Sequence, residues 1–439
     1  MLEKIPLGLG GKSNYCDGRR VETKGTKEMT KPKVVFLALL WAMLGCAAVT
    51  LADAPQPTAA PNPKVCAAIN DFGFRLLRAL TNGSGENVII SPLSVSLALA
   101  MAYNGTAGET RTAMAKTLAV PPLSDDDFNR ANHALLGTLR KADPAVQMEI
   151  ANALWVQWGF PINSDFLKLS QDSYDASAQS LDFARNPREA ADTINTWVDK
   201  NTGGKIPTIV ARTDPNTRLV ITDAVYFKGR WASPFNKKAT ETRTFHLQDG
   251  RSVTTPMMMQ NGQYSYLEND SFQAIRLPYG NGRFVMYVFL PHTTSRLADF
   301  VRSLDETHWT EWTAKLSVRK GKIILPKLES TYGKTLNDAL KAIGMAQAFD
   351  ADKADFSRIH PIPPQLFIND VEHKTYIKVD EEGTEAAAAT SVGIAATMAL
   401  ANRPPPFEMI VDHPFFCAVA EQHSGALLFA GVVADPTRK

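Results

Sequence analysis

The eight histidines and four cysteines of this 439-residue chain are the side chains best suited to bind a metal ion or to act as nucleophiles. No two histidines stand four residues apart, the spacing that places two ligands on one face of a helix. The chain also lacks the G-x-S-x-G, H-E-x-x-H and C-x-x-C patterns of common hydrolases, metalloproteases and redox proteins. A Ser-His-Asp triad assembled from distant residues stays open. Otherwise, these residues carry no signature of catalysis and predict no bound metal or cofactor.

A second candidate for chemistry is the small-residue segment EEGTEAAAATSVGIAATMAL, residues 381–400. Read as a strand over 384–396, it places its only charge, Glu385, on one face. The other face holds uncharged residues: Thr384, Ala386, Ala388, Thr390, Val392, Ile394 and Ala396. No proline interrupts the strand, so every backbone N–H could join a hydrogen-bonded ladder. An alanine-rich helix and a loop stay open as alternatives, because alanine has the highest helix propensity.

The elements that must position this segment are mostly helices in the first half of the chain and strands in the second. Helical patterns cover residues 67–80, 91–105, 110–118, 126–142 and 188–206. Ser91 is the expected N-cap of the second helix, with Pro92 at its first position. Strand patterns cover residues 146–157, 217–229, 283–291, 320–328, 375–382, 406–420 and 425–433. This order predicts an α+β fold.

The N-terminus is predicted to be a leader, residues 1–54, with a signal peptide at about 29–54. Basic residues precede the apolar run VVFLALLWAML, and small residues around Ala52 suit cleavage. A Pro-rich linker at 55–62 then leads to a single domain at 63–439. We therefore expect a secreted, extracellular or periplasmic protein. Attachment of a lipid at Cys46 and retention of residues 34–52 as a membrane anchor stay open.

Charge and cysteine content exclude further classes of protein. A formal net charge of +2 gives no electrostatic case for binding nucleic acid, and no basic cluster indicates a heparin site. Only Cys66 and Cys417 follow the predicted leader, so a disulfide framework is not expected. We expect Cys417 to be a small buried residue, while a Cys66–Cys417 bridge stays open.

Four separated stretches, which occur along the chain in the order usual for the family, resemble the serpins, a family of large protease inhibitors. NVIISPLSVSLALAMAYNGTAGET (87–110) is similar to the second helix of that family, and EEGTEAAAAT (381–390) is similar to its hinge. DAVYFKGRWASPF (223–235) and DHPFFCAV (412–419) match two further family stretches. The resemblance runs from Pro63 to Pro436. It implies the serpin fold, in which helices pack around three β-sheets and a reactive-centre loop is exposed.

The resemblance also implies a function. A serpin presents its loop to a serine endopeptidase as a substrate, and after acylation the loop inserts into the main sheet and traps the covalent acyl complex. The hinge of an inhibitory serpin consists of small residues, here Gly383, Thr384, Glu385, Ala386, Ala387, Ala388, Ala389 and Thr390. The resemblance therefore implies a monomeric inhibitor whose partner is a serine protease. A non-inhibitory serpin acting as a binding or carrier protein is the alternative.

The spacing usual in the family, counted from Gly383, places the reactive bond between Thr397 and Met398. The small residues before that bond would suit an elastase-like or subtilisin-like target. The segment between Gly383 and Pro414 is longer than in many family members, so cleavage after Met398, Leu400 or Arg403 stays open. Arg403 would direct the inhibitor toward a trypsin-like enzyme, and a cysteine protease is a further alternative.

Two further groups of residues follow from the resemblance. The "shutter" beneath the opening sheet would consist of Asn87, Ser91, Ser94, Asp223 and His373. The "breach", where the loop enters, would consist of Trp231, Lys327 and Glu381. We expect Lys327 and Glu381 to form an ion pair at the top of the sheet.

The chain departs from the family at Asp223, where an asparagine is usual. We expect its carboxylate to pair with His373 and to stabilise the protonated imidazole. On this hypothesis, the closed sheet would loosen as His373 loses its proton at rising pH.

Overall fold

A computed structural model describes residues 60–81, 85–293, 296–363, 365–383 and 405–438. Their helices are Pro63–Thr81 (α1), Pro92–Asn104 (α2), Gly108–Thr117 (α3), Asp125–Arg140 (α4), Ser164–Tyr174 (α5), Pro187–Asn201 (α6), Leu297–Ser303 (α7), Glu306–Ala314 (α8) and Asn337–Leu340 (α9). The predicted cap of α2 is confirmed, because the Ser91 side chain accepts a hydrogen bond from the Ser94 N–H. Every residue of α2 is buried, and the helix packs against strands of both sheets described below.

The strands of the described residues form two hydrogen-bonded sheets. They are Val88–Ile90 (β1), Val146–Gln157 (β2), Ser177–Leu181 (β3), Leu219–Gly229 (β4), Glu241–His246 (β5), Ser252–Glu268 (β6), Phe272–Pro278 (β7), Phe284–Pro291 (β8), Ser317–Pro326 (β9), Leu328–Thr335 (β10), Asp370–Val379 (β11), Phe407–Ile410 (β12), Phe415–Glu421 (β13) and Leu427–Val433 (β14). The α+β prediction is confirmed.

The five-stranded sheet has the order β10-β11-β4-β2-β3. Strand β4 pairs antiparallel with β2 over eleven residues, from Leu219 to Gly229. Its other neighbour, β11, runs parallel to it, with Asp370 to Tyr376 opposite Val220 to Tyr226. Helix α6 covers part of the sheet, where the Trp155 and Trp197 rings meet edge to face. Strands β4 and β11 are thus a parallel pair inside this sheet, and we call the junction between them the seam.

The nine-stranded sheet has the order β1-β14-β13-β8-β7-β6-β9-β12, and β5 also pairs with β6. Strand β6 has 17 residues and connects two portions of this sheet. Its first part pairs with β5 and β9, whereas β7 joins it only at Ser265–Glu268. The family resemblance implies three sheets, whereas the described strands form two continuous hydrogen-bonded sheets because β6 takes part in both portions of the larger one.

The structure changes some of the predicted boundaries and adds elements. Segment 320–328 is not one strand, because β9 ends at Pro326 and β10 begins at Leu328. Segment 406–420 divides into β12 and β13 around Asp412–Pro414. Strands β1, β3, β5, β6 and β7 were not predicted, and β10 was predicted only at its first residue. Cys66 and Cys417 are buried and unpaired, so the bridge does not form, and burial raises the pKa of each thiol to about 12.

Candidate functional site

The seam between β4 and β11 lies directly before the small-residue segment. The chain leaves β11 at Val379 and reaches Gly383, where the predicted hinge begins. Strands β4 and β11 run parallel, so a strand that turned back between them would lie antiparallel to both. Antiparallel pairing is somewhat more stable per residue than parallel pairing. The topology therefore offers a place for one additional strand.

Residues Asp380 to Gly383 are hydrogen-bonded to the chain that follows β4. The backbone N–H of Trp231 donates to the carbonyl oxygen of Glu382 at 3.0 Å, and the N–H of Phe235 donates to that of Glu381 at 2.7 Å. The Trp231 indole N–H donates to the Asp380 carbonyl oxygen at 2.9 Å. Because two of these bonds join backbone atoms only, they hold the start of the hinge whatever the surface side chains are. We call residues 380–383 the strap.

Gly383 makes the closest backbone approach in the strap. Its φ of 136° is disfavoured for residues with a side chain. A Cβ atom there would lie 2.2 Å from the carbonyl oxygen of Gly229, well inside contact distance. The first residue of the predicted hinge must therefore be glycine for the strap to dock as it does.

The three predicted breach residues lie together around the strap. Lys327 Nζ lies 2.8 Å from Glu381 Oε2, and the Thr240 hydroxyl donates to Glu381 Oε1 at 2.8 Å. Burial acts to raise the pKa of Glu381, but the hydrogen bonds from Lys327 and Thr240 outweigh it and hold that pKa below its ordinary value. Lys237 also pairs with Glu382. The Trp231 ring stacks on Tyr279, with ring centroids 4.3 Å apart.

Four of the five predicted shutter residues meet beneath the seam. Asp223 on β4 contacts Nδ1 of His373 on β11, and both side chains are completely buried. The other carboxylate oxygen of Asp223 accepts a hydrogen bond from the Ser94 hydroxyl. The Ser91 backbone N–H donates to His373 Nε2 at 3.2 Å. These contacts link α2 to both strands of the seam.

The fifth shutter residue, Asn87, lies elsewhere. Its side chain donates to the Asp435 carbonyl oxygen at 2.7 Å and accepts from the N–H of Ala434 at 2.8 Å, beyond the end of β14. It therefore fixes the C-terminal segment and does not contact His373. Asn152 on β2, which sequence reasoning missed, contacts Ser94 instead, with Oδ1 and Oγ 3.0 Å apart.

The hydrogen bonds of His373 assign a role to each ring nitrogen. Nε2 accepts a hydrogen bond from the Ser91 N–H, so Nδ1 is the nitrogen that donates to Asp223. A proton on Nε2 would place two donors face to face in a buried site. The expected loosening of the sheet at rising pH stays a prediction.

On the far side of residues 384–404, aromatic packing fixes β12. The Phe407 ring stacks on Tyr266 with centroids 3.8 Å apart, and Gly321 lies so close to this ring that a Cβ would come within 2.3 Å of it. Arg319 Nη2 donates to the Pro405 carbonyl oxygen at 3.2 Å, and its guanidinium lies over Tyr266. We call Tyr266, Arg319, Gly321 and Phe407 the β12 clamp, which sequence reasoning missed.

Most of the predicted loop residues lie outside the described residues. These are the hinge residues after Gly383, namely Thr384, Glu385, Ala386, Ala387, Ala388, Ala389 and Thr390, the reactive-bond residues Thr397 and Met398, and the alternatives Leu400 and Arg403. The predicted leader, 1–54, also lies outside them. Within the described ranges, no group of three or more histidine, cysteine, aspartate or glutamate side chains could hold a metal ion. No helix in that part of the chain combines the length and apolar character needed to cross a membrane.

Comparison with known proteins decides the family. The family model described as serpin (serine protease inhibitor) matches residues 67–436. This chain belongs to the serpin family. An uncharacterized serpin-like protein of Thermococcus kodakarensis is 37% identical over 369 residues, covering 84% of this chain and 85% of that protein. Serpin-Z2A of Triticum aestivum is 34% identical over 393 residues, covering 84% and 95%.

Solved serpin structures share the fold. The thermophilic serpin tengpin in its native state has a TM-score of 0.78 at 28% identity, covering 85% of this serpin and 95% of that chain. Thyroxine-binding globulin in complex with thyroxine has a TM-score of 0.76 at 25% identity, covering 85% and 100%. Serpins are generally not enzymes but inhibitors that bind target proteases, although the neighbours include this thyroxine-binding protein.

Proposed function

We propose that this serpin inhibits a serine endopeptidase as a suicide substrate, by inserting its cleaved loop into the five-stranded sheet. The observation that carries the proposal is the parallel seam between β4 and β11, with the chain leaving β11 directly into the hinge. A loop running back from Gly383 would complete an antiparallel arrangement on both sides. The uncharged alternate positions from Thr384 to Ala396 suit the crowded interior of such a sheet.

The free energy that loop insertion releases is comparable to the free energy needed to disable the active site of a protease. About ten ladder hydrogen bonds gained at ~1 kcal/mol net each amount to on the order of 10 kcal/mol. Disabling the triad of a bound protease costs it roughly 10⁶-fold in turnover, or about 8 kcal/mol. Insertion can therefore supply enough free energy to distort the acylated protease before its ester is hydrolysed.

The proposed reactive bond is Thr397–Met398, and the proposed targets are elastase-like or subtilisin-like proteases. Ala395, Ala396 and Thr397 are small enough for a shallow specificity pocket. Cleavage after Arg403 by a trypsin-like enzyme is the competing assignment. We further propose that the monomer acts after export, with residues 1–54 as its leader, 55–62 as a linker and 63–439 as the inhibitory domain. N-terminal sequencing of the exported protein tests these boundaries.

A second candidate function is the binding of a small molecule without inhibition. Its support is the structural likeness to thyroxine-binding globulin and a cavity of about 370 Å³ in this serpin, lined by residues of α1, α7 and β14. The cavity combines apolar Leu297 and Val301 with charged Arg78 and Glu86, so an amphipathic ligand would fit. The permissive hinge favours inhibition over this role.

The test is to mix the protein lacking residues 1–54 with elastase-, subtilisin-, chymotrypsin- and trypsin-like proteases and to separate the products on denaturing gels. A covalent complex is expected, and the mass of the released C-terminal peptide identifies the cleaved bond. Ala388→Pro removes a ladder donor in the middle of the inserting strand, whereas Ala388→Ser keeps it. The first variant should be cleaved without trapping, and the second should trap normally. Cleavage of the unsubstituted protein by every enzyme without a complex would contradict the proposal.

A further inference from the structure

The turn between β12 and β13 contains a histidine whose two ring nitrogens both face oxygen atoms. His413 Nδ1 lies 2.8 Å from Asp412 Oδ1, and its Nε2 lies 2.7 Å from the carbonyl oxygen of Pro291 at the end of β8. Neither a carboxylate nor a carbonyl oxygen can donate a hydrogen bond. Both contacts are satisfied only when both nitrogens carry protons, which is the imidazolium form.

The charged groups around this turn favour that form. Burial acts to lower the pKa of His413, but the Asp412 carboxylate and the Pro291 carbonyl outweigh it and raise this pKa above its ordinary value of 6.5. The His413 hydrogen bond, together with the charges of His413 and of His246 on β5, holds the pKa of Asp412 below its usual range despite partial burial. Pro291 on β8 and Ile324 on β9 face the turn with backbone carbonyl groups.

The same turn anchors the C-terminal end of β12. The Val411 N–H donates to the Ile324 carbonyl oxygen at 2.9 Å, and the His246 N–H donates to the Asp412 carbonyl oxygen at 2.7 Å. The turn is therefore tied to β9 and β5 by backbone bonds, and to β8 by the His413 side chain. Strand β12 itself makes only four register pairs with β9 and lies at the edge of the sheet. Weakening the His413 bridge would free one end of a short edge strand.

We propose that His413 is a proton-dependent latch that retains β12 in the nine-stranded sheet. The direction of the pH dependence follows from these contacts. A histidine with a raised folded-state pKa contributes stability at low pH, and that contribution is lost as pH rises through the folded-state value. The latch is thus closed in mildly acidic solution and open in mildly alkaline solution.

The latch acquires a role if the proposed function holds. Residues 384–404 connect the strap to β12, and β11 is ten residues long, or about 33 Å. An uncut loop that ran the length of β11 would have only about eleven residues left to return, spanning at most ~36–40 Å. Such an insertion would stretch the returning residues almost fully and place β12 under tension. Retaining β12 would therefore oppose insertion of the uncut loop, and loss of the latch would shorten the active lifetime of the inhibitor.

The test follows hydrogen exchange of residues 407–411 in the full chain at pH 6 and pH 8, corrected for intrinsic exchange. The wild type should be less protected at pH 8 than at pH 6, because the neutral imidazole keeps only one of its two hydrogen bonds. His413→Gln cannot carry the charge, so its protection should be low and equal at both pH values. Asp412→Asn should reduce the pH response, and His308→Gln, a substitution on α8, should leave it intact. Burial raises the pKa of Glu306, also on α8, to about 7, so global unfolding would mix two titrations where local exchange does not.

A wild-type pH response that persists in His413→Gln would overturn the latch. So would a response abolished by His308→Gln, because it would then arise away from β12. A second measurement follows the loss of inhibitory activity of the uncut protein, which should be faster at pH 8 than at pH 6 in the wild type only. If no protease is inhibited, the proposed function fails, while the exchange result still decides whether the latch exists.

Discussion

The strand before residues 384–404 and the strand after them each pair in parallel with one neighbour, but different chemistry holds them. Across the seam, β4 and β11 are joined by backbone bonds and by buried polar contacts that centre on Asp223 and His373. Across the other pair, β9 and β12 are joined by the β12 clamp, where Phe407 stacks on Tyr266.

The difference matters because polar and aromatic contacts separate at different costs. A strand that enters the seam can replace the backbone bonds it breaks, so the net cost of opening is modest. No new contact replaces a stacked, buried aromatic ring that leaves its site, so its whole packing free energy is lost. This serpin is thus separable where the proposed insertion occurs and firmly packed where the chain must stay fixed.

The largest expected effect comes from removing the aromatic contact of the β12 clamp. Phe407→Ala should cost about 3–5 kcal/mol in the free energy of unfolding, because it empties the space between Tyr266 and Gly321. Denaturant unfolding measures the total, and hydrogen exchange should show selective loss of protection in β12. Phe300→Ala, a similarly buried aromatic substitution on α7, is the matched control and should leave β12 protected until global unfolding. Equal exposure of β12 in both variants would mean that the clamp is not local.

The clamp also shows the limit of sequence reasoning. Tyr266 and Phe407 lie far apart in the chain, and no sequence pattern indicates that their rings meet. Strand β6 was missed because methionine, glutamine and glycine interrupt its alternation over Pro256 to Gly262. By contrast, α2 and β4 were predicted because a capping signal and a run of buried residues mark them locally.

At the shutter, the sequence and the resemblance brought Asp223 and His373 together, and the structure places them in contact. Which ring nitrogen of His373 accepts a hydrogen bond could not be predicted, because it depends on the Ser91 N–H, a backbone group that no sequence pattern marks. Asn87 shows the same limit. Its residue type matched the family, but its partners lie beyond the end of β14.

An intermediate effect is expected in the seam. Asp223→Asn replaces a carboxylate that accepts hydrogen bonds from His373 and Ser94 by a group with a single acceptor oxygen, at a cost of about 1.5–3 kcal/mol. Protection should fall across β4 and β11 and remain in β12. Asp370→Asn makes the same chemical change at the less buried end of β11 and should cost within ~0.5 kcal/mol.

Nitrogen NMR of the His373 imidazole tests the hydrogen bonds behind this prediction. The wild type should show a proton on Nδ1 and none on Nε2. A protonated Nε2 in the wild type would contradict the geometry described for the seam.

The smallest effect is expected at the strap. Lys327→Ala removes an ion pair whose lysine is partly exposed, and such pairs contribute about 0–1 kcal/mol. Thr240 still donates to Glu381, and the backbone bonds of Trp231 and Phe235 to the strap are unchanged. Amide exchange at Trp231 and Phe235 should therefore stay close to wild type. Lys237→Ala, at the other, more exposed pair of the strap, is the matched control and should behave alike.

If Lys327→Ala instead released the Trp231 and Phe235 amides, the ion pair and not the backbone would hold the strap. The hinge would then be fastened by a surface charge that salt weakens, and its release should accelerate at high ionic strength. If the amides stay protected, the strap must be freed by breaking backbone bonds that an inserting strand can remake. In that case the strap, like the seam beside it, would open at a modest cost in free energy.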